Sequence, residues 1–125
     1  MKDFLHSTAA LAALAVASVQ ADANLPVTAD EQRALTPDQV LAELMAGNQR
    51  YVAGELSAPN VGPRMAAAVD GQFPKAVILS CLDSRVPVEQ VFDQGIGDIF
   101  VGRVAGNIEN EDQLGSMEFA TKAAG

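Results

Sequence analysis

Cys81, Asp83 and Arg85 stand two residues apart at the end of the apolar run Ala76-Val77-Ile78-Leu79-Ser80. In an extended chain, side chains two apart point the same way, so these three can converge on one spot while Leu82 turns away. A thiolate beside a carboxylate is a donor pair suited to zinc, and a planar guanidinium can fork onto the carboxylate and keep it ionised. Burial is the plain alternative for Cys81, since free cysteine is among the most buried residue types. It does not account for three polar groups gathered at one strand end. His6 is the only histidine and Cys81 the only cysteine, so the chain supplies half of a metal-binding set. One sulfur and one carboxylate do not close a tetrahedral site.

The elements that must position these groups follow from the pattern around them. Thr36-Pro37-Asp38-Gln39 carries a capping box and a proline at the first helical position, which predicts a helix from Pro37 to about Ala53, with Gly54 as its stop. Val40, Leu41, Leu44, Met45, Tyr51 and Val52 recur at helical spacing and predict one apolar face, packed on a core or on a second subunit. Arg64 to Val69 is a short helical candidate, and Asp70-Gly71 a break before the first strand, Ala76 to Ser80, which is apolar on both faces as a buried parallel strand requires. Pro87 restarts the chain as a helix over Val88 to Asp93, whose positive N-terminal end would favour a thiolate or anion nearby. A second strand is expected over Ile99 to Val104, closed by Ala105-Gly106-Asn107, then a helix from about Glu111 to Ala124 with Leu114, Met117, Thr121 and Ala124 on one stripe. Phe119 falls off that stripe, so a second surface or a pocket should cover it. Strand, helix, strand, helix is the order of an α/β unit with a parallel sheet flanked by helices, whose sites lie at the carboxyl ends of strands.

Length allows one small domain: 125 residues, of which sixteen are acidic and eight basic, for a formal net charge of -8. That charge disfavours nucleic acid or an anionic membrane as partner. Residues 1–21 read as a signal peptide: Lys2, an Ala/Leu/Val run from Ala9 to Val19, and small-residue cleavage sites at Val19-Gln20-Ala21 and Ala21-Asp22-Ala23. The run is about half of the ~20 residues a spanning helix needs, so no permanent membrane anchor is expected. Residues 22–35 then read as a polar linker, 36–125 as the folded part, and the protein as periplasmic or secreted. Asp93, Asp98, Glu109, Glu111 and Asp112 are expected on a solvated acidic surface, Arg103 in a strand-end ion pair, and Gly106 in a turn that needs glycine.

The motifs resemble those of the β-class carbonic anhydrases. The family's C-x-D-S-R reads Cys81-Leu82-Asp83-Ser84-Arg85, and its G-D-x-F-V-x-R-x-A-G-N reads Gly97-Asp98-Ile99-Phe100-Val101-Gly102-Arg103-Val104-Ala105-Gly106-Asn107. Its G-S-x-E-[YF]-A reads Gly115-Ser116-Met117-Glu118-Phe119-Ala120, and Gly47-Asn48-Gln49-Arg50-Tyr51 is similar to the leading helix. The resemblance runs from about Thr36 to Gly125. It implies a β-carbonic-anhydrase-like α/β fold, cut short after the second strand and its following helix. Cys81 is implied as a ligand of Zn2+, and Asp83 as a carboxylate that takes the fourth metal position or pairs with Arg85. Gln72, nine residues before the cysteine, matches a substrate-binding glutamine, and Phe100 and Phe119 match aromatic positions lining the pocket near the subunit boundary. The implied reaction is the reversible hydration of carbon dioxide to bicarbonate by zinc-bound hydroxide, whose parent water the metal acidifies to a pKa of about 7. A homodimer or higher multiple is implied as well.

One departure bears on all of this. The family's later G-H-x-x-C-G segment, which brings a histidine and a second cysteine to the metal, has no match in this sequence. Two alternatives therefore stand beside the carbonic anhydrase reading. One is a noncatalytic fragment of such an enzyme, and the other a related zinc hydrolase acting on carbonyl sulfide or carbon disulfide.

Overall fold

The structure is a computed structural model and describes residues 25–57 and 61–125. The expected signal peptide lies outside the described residues. The expected linker, in contrast, holds a helix, α1 (Ala29–Ala34), whose Thr28 and Glu31 form a capping box. The second box, at Thr36 and Gln39, starts α2 (Pro37–Ala53), which ends on Gly54 with φ of 75°. That left-handed stop is where glycine avoids the Cβ penalty.

After α3 (Val61–Ala67) and a 3-10 turn over Ala68–Asp70, the chain enters β1 (Ala76–Ser80), α4 (Val88–Val91), β2 (Ile99–Arg103), a tight turn over Ala105–Asn107, and α5 (Glu111–Lys122). β1 and β2 pair in parallel, in the register Ala76 with Ile99 through Ser80 with Arg103. The ladder runs on past both strand ends: Val104 N–H donates to Ser80 O at 3.1 Å, and Leu82 N–H to Val104 O at 3.2 Å. Cys81 is thus held between two paired residues at the carboxyl edge. The α/β class with a parallel sheet and flanking helices is as expected.

Packing departs from the sequence pattern in three places. On α2, Leu44 and Gly47 are buried and Val40 and Tyr51 half-buried, but Leu41, Met45 and Val52 are 60%, 51% and 78% exposed. The helix is pinned instead along its Gly47 side. A Cβ on Gly47 would lie 1.9 Å from the Phe92 carbonyl oxygen, so only glycine lets the two backbones approach this closely. On α5 the half-buried stripe is Gln113, Met117 and Ala120, with Ala124 half-buried just past the helix end, while Leu114 and Thr121 face outward. The reason is Gly102, whose absent side chain leaves room for Gln113 against β2.

The third departure concerns charge. Asp93 and Asp98 are not solvated. The Asp93 side chain is 1% exposed, accepts from Arg50 Nε at 2.5 Å and from Ser57 Oγ at 2.6 Å, and sits at a positive φ of 51°. Asp98 pairs with the buried Arg64 and accepts from Gly95 N–H at 2.8 Å. Arg64 in turn donates to the carbonyls of Leu25 at 2.7 Å and Ile96 at 3.2 Å. These partners come from distant parts of the chain, which sequence pattern alone does not bring together.

Candidate active site

Cys81 leaves β1 at its carboxyl end, and the chain turns at once, with Val86 N–H donating to Asp83 O at 3.1 Å. Within that turn Arg85 clasps Asp83 in a two-toothed pair. Nε donates to one carboxylate oxygen at 3.0 Å and Nη2 to the other at 2.7 Å, while the Arg85 backbone N–H adds a third bond at 2.9 Å. The guanidinium, then the Arg85 amide, with Arg103's charge adding, hold the Asp83 carboxyl below the ordinary carboxylate range against the opposing effect of burial. Of the two positions the resemblance implied for Asp83, the structure shows the one on Arg85.

The thiol is served from β2. Gly106, at φ of 76°, turns its N–H onto Cys81 Sγ at 3.3 Å. That donor, followed by the amides of Asp83 and Leu82, draws the thiol pKa down, while burial and the Asp83 charge push it up. The net direction is toward thiolate. The expected source of this effect, the start of α4, is a helix of one turn only, and the donors that lower the thiol pKa are the backbone amides of Gly106, Asp83 and Leu82. Gly106 and Arg103, both read from sequence as structural, therefore belong to the site. Among the described residues Arg103 forms no strand-end ion pair but donates to the backbone carbonyls of Cys81 and Asp83. The run Arg103-Val104-Ala105-Gly106 was visible in the sequence, but its reach across to Cys81 depends on the parallel register.

Gln72, Phe100 and Phe119 are not brought to this spot within the chain. Gln72 precedes β1, at the opposite end from Cys81, and shares a groove with Pro26, Phe73 and Phe100. Phe100 is the second residue of β2 and meets Phe119 edge-on, with ring centroids 6.3 Å apart. Phe119 remains 54% exposed, so the second surface expected over it is supplied only in part. Among the described residues, no three His, Cys, Asp or Glu side chains cluster as a metal would require.

A cysteine drawn toward thiolate and an arginine-held carboxylate thus stand together at the carboxyl edge of a parallel sheet, the place where α/β proteins carry their sites. The family model described as Carbonic anhydrase matches residues 76–125, the stretch that builds this site. Carbonic anhydrase 2 of Mycobacterium tuberculosis is 47% identical over 78 residues, covering 62% of this chain and 38% of that protein. The Mycolicibacterium smegmatis carbonic anhydrase shows the same identity and the same coverage. Among solved structures, the β-carbonic anhydrase CcaA superposes with a TM-score of 0.46 at 30% identity, over 68% of this chain and 43% of that one. The chain is similar to carbonic anhydrases through residues 76–125, where its motifs stand in the order read from the sequence. It spans 38% of the length of the two mycobacterial relatives.

Proposed function

We propose that this chain carries the cysteine, aspartate and arginine part of a centre that interconverts carbon dioxide and bicarbonate. The observation that carries the reading is the two-toothed Arg85–Asp83 pair, two residues from a thiol that Gly106 draws toward thiolate. An ionised carboxylate is an acceptor only. Asp83 would therefore take a hydrogen bond from the oxygen nucleophile and leave that oxygen's lone pair aimed at the carbon of the substrate. Arg85 keeps Asp83 from protonating and fixes its plane.

The family's metal is zinc, and Cys81 is the donor of this chain best suited to it. Asp83 has both oxygens engaged by Arg85, which leaves one uncommitted donor where a tetrahedral ion needs four ligands in all. The described residues do not fit zinc by themselves. Further donors would come from outside them. In the same proposal the protein is exported and pairs with a second copy. Gln72, Phe100 and Phe119 lie toward the far end of the sheet from Cys81, so a second subunit is what would bring them to a substrate. No helix among the described residues is long and apolar enough to cross a membrane.

The test joins carbon dioxide hydration, followed by stopped flow, to metal analysis of the purified protein. The chain alone should hold less than one zinc and hydrate carbon dioxide at the buffer rate. Co-expression with the part of the Mycobacterium tuberculosis relative that it does not match should raise both, and Cys81→Ala should remove the rise. Turnover that survives Cys81→Ala would defeat the reading. The single uncommitted donor also favours a second reading, a noncatalytic partner subunit. That one predicts a stable complex which stays free of zinc.

A further inference from the structure

Arg103 closes β2 opposite Ser80. The chain after β1 leaves the ladder past Leu82, and the Cys81 carbonyl and the second lone pair of the Asp83 carbonyl, whose first takes the Val86 N–H, are open to donors from elsewhere. Arg103 supplies both: Nε donates to Cys81 O at 3.0 Å and Nη2 to Asp83 O at 2.5 Å. The guanidinium is planar, so two donors set in one rigid fork fix the mutual orientation of two carbonyls, which a single rotatable ammonium does not do. Those carbonyls belong to the residues that carry the thiol and the carboxylate. Three residues further along the same strand exit, the Gly106 N–H donates to the thiol at 3.3 Å.

We propose that Arg103 is a positioning residue. Its guanidinium bridges the Cys81 and Asp83 carbonyls, so that the spacing of thiol and carboxylate is set from β2 as well as by the turn that bears them. This rests on the reading of Cys81 and Asp83 as site residues, but its test measures no turnover. A chain inactive under every condition would defeat that reading and leave the present one standing.

The experiment is NMR of the full chain labelled with nitrogen-15. In the unsubstituted chain the Arg103 Nε–H should exchange with solvent roughly tenfold slower than that of the exposed Arg33, the protection expected from one sound hydrogen bond. Arg103→Lys should shift the amide signals of Gly106 and Arg85 while those of Leu44 and Val88, in the buried core, stay in place. Exchange at Arg103 as fast as at Arg33 overturns the proposal. So does a Lys variant in which Gly106 and Arg85 do not move, or one in which Leu44 and Val88 move equally, since the residue then supports the fold at large. Should the Lys variant not fold, the exchange measurement on the unsubstituted chain decides alone.

Discussion

The Asp83–Arg85 pair is formed by neighbours in one turn, and its strength lies in geometry rather than burial, because the Arg85 side chain is 86% exposed. Solvent screens the charge, but it does not restore the two-toothed fit once a lysine replaces the fork. In Arg85→Lys, the Asp83 carboxyl should therefore rise toward its ordinary value of about 3.9, as read from carbon-13 shifts during a pH titration. The same pair sets a pH dependence. Asp83 and Asp93 both have folded-state pKa values below the ordinary one. At Asp93, burial pushes the carboxyl up, but Ser57 and Arg50 outweigh it. Depressed carboxylates stabilise the fold above the unfolded-state value and lose that contribution as pH falls through the folded-state one. The urea midpoint should accordingly hold steady at neutral pH and decline below about pH 4. Substituting both aspartates by asparagine should flatten that decline.

At the scale of elements, the link between α2 and α4 hangs on two close approaches. Gly47 admits the Phe92 carbonyl, and Asp93 ties Arg50 to Ser57 while holding a left-handed backbone. Gly47→Ala forces the helices apart and should cost at least the ~1–3 kcal/mol typical of overpacking, measured by chemical denaturation. Asp93→Asn keeps a residue that tolerates positive φ, whereas Asp93→Ala loses both the backbone tolerance and the acceptor. Alanine should be the worse of the two by about 1 kcal/mol. The same reasoning explains why α2 could be read end to end while its inward face could not. Caps and stops are local, and the Thr36 box and Gly54 act through adjacent atoms. The inward face was set by where Phe92 happens to approach, 45 residues along the chain.

For the whole molecule, the core is thin. Among the described residues, the buried apolar side chains are Val27, Leu44 and Val88, and both strands stay half-exposed except at Ser80. Two strands alone make a marginal sheet. The buried Arg64–Asp98 pair and the carbonyls gathered on Arg64 consequently bind Leu25, α3 and the loop before β2 into one body. Breaking such a pair by removing one partner leaves an uncompensated buried charge, so Asp98→Asn should destabilise by about 3–5 kcal/mol. A double-mutant cycle with Arg64→Met should return a coupling energy well above that of an exposed pair. The exposed apolar side chains on α2 and α5, Leu41, Met45, Val52, Leu114 and Phe119 among them, should make the thermal midpoint rise with protein concentration if a second subunit covers them.

The sequence by itself determined the local matters. It placed the start of α2 at the Thr36 capping box, the stop at Gly54, the strand Ala76–Ser80, and a thiol, a carboxylate and a guanidinium at alternate positions of one strand exit. Each of these depends on atoms a few residues apart, and their spacing is written in the chain. Tertiary structure alone decided that Arg103 and Gly106 join the site, that Asp93 and Asp98 are buried, and that Gln113 rather than Leu114 faces the sheet. Those outcomes depend on the parallel register of β1 and β2 and on the room left at Gly47 and Gly102. Register and room are properties of two segments meeting in space, and neither segment carries them alone.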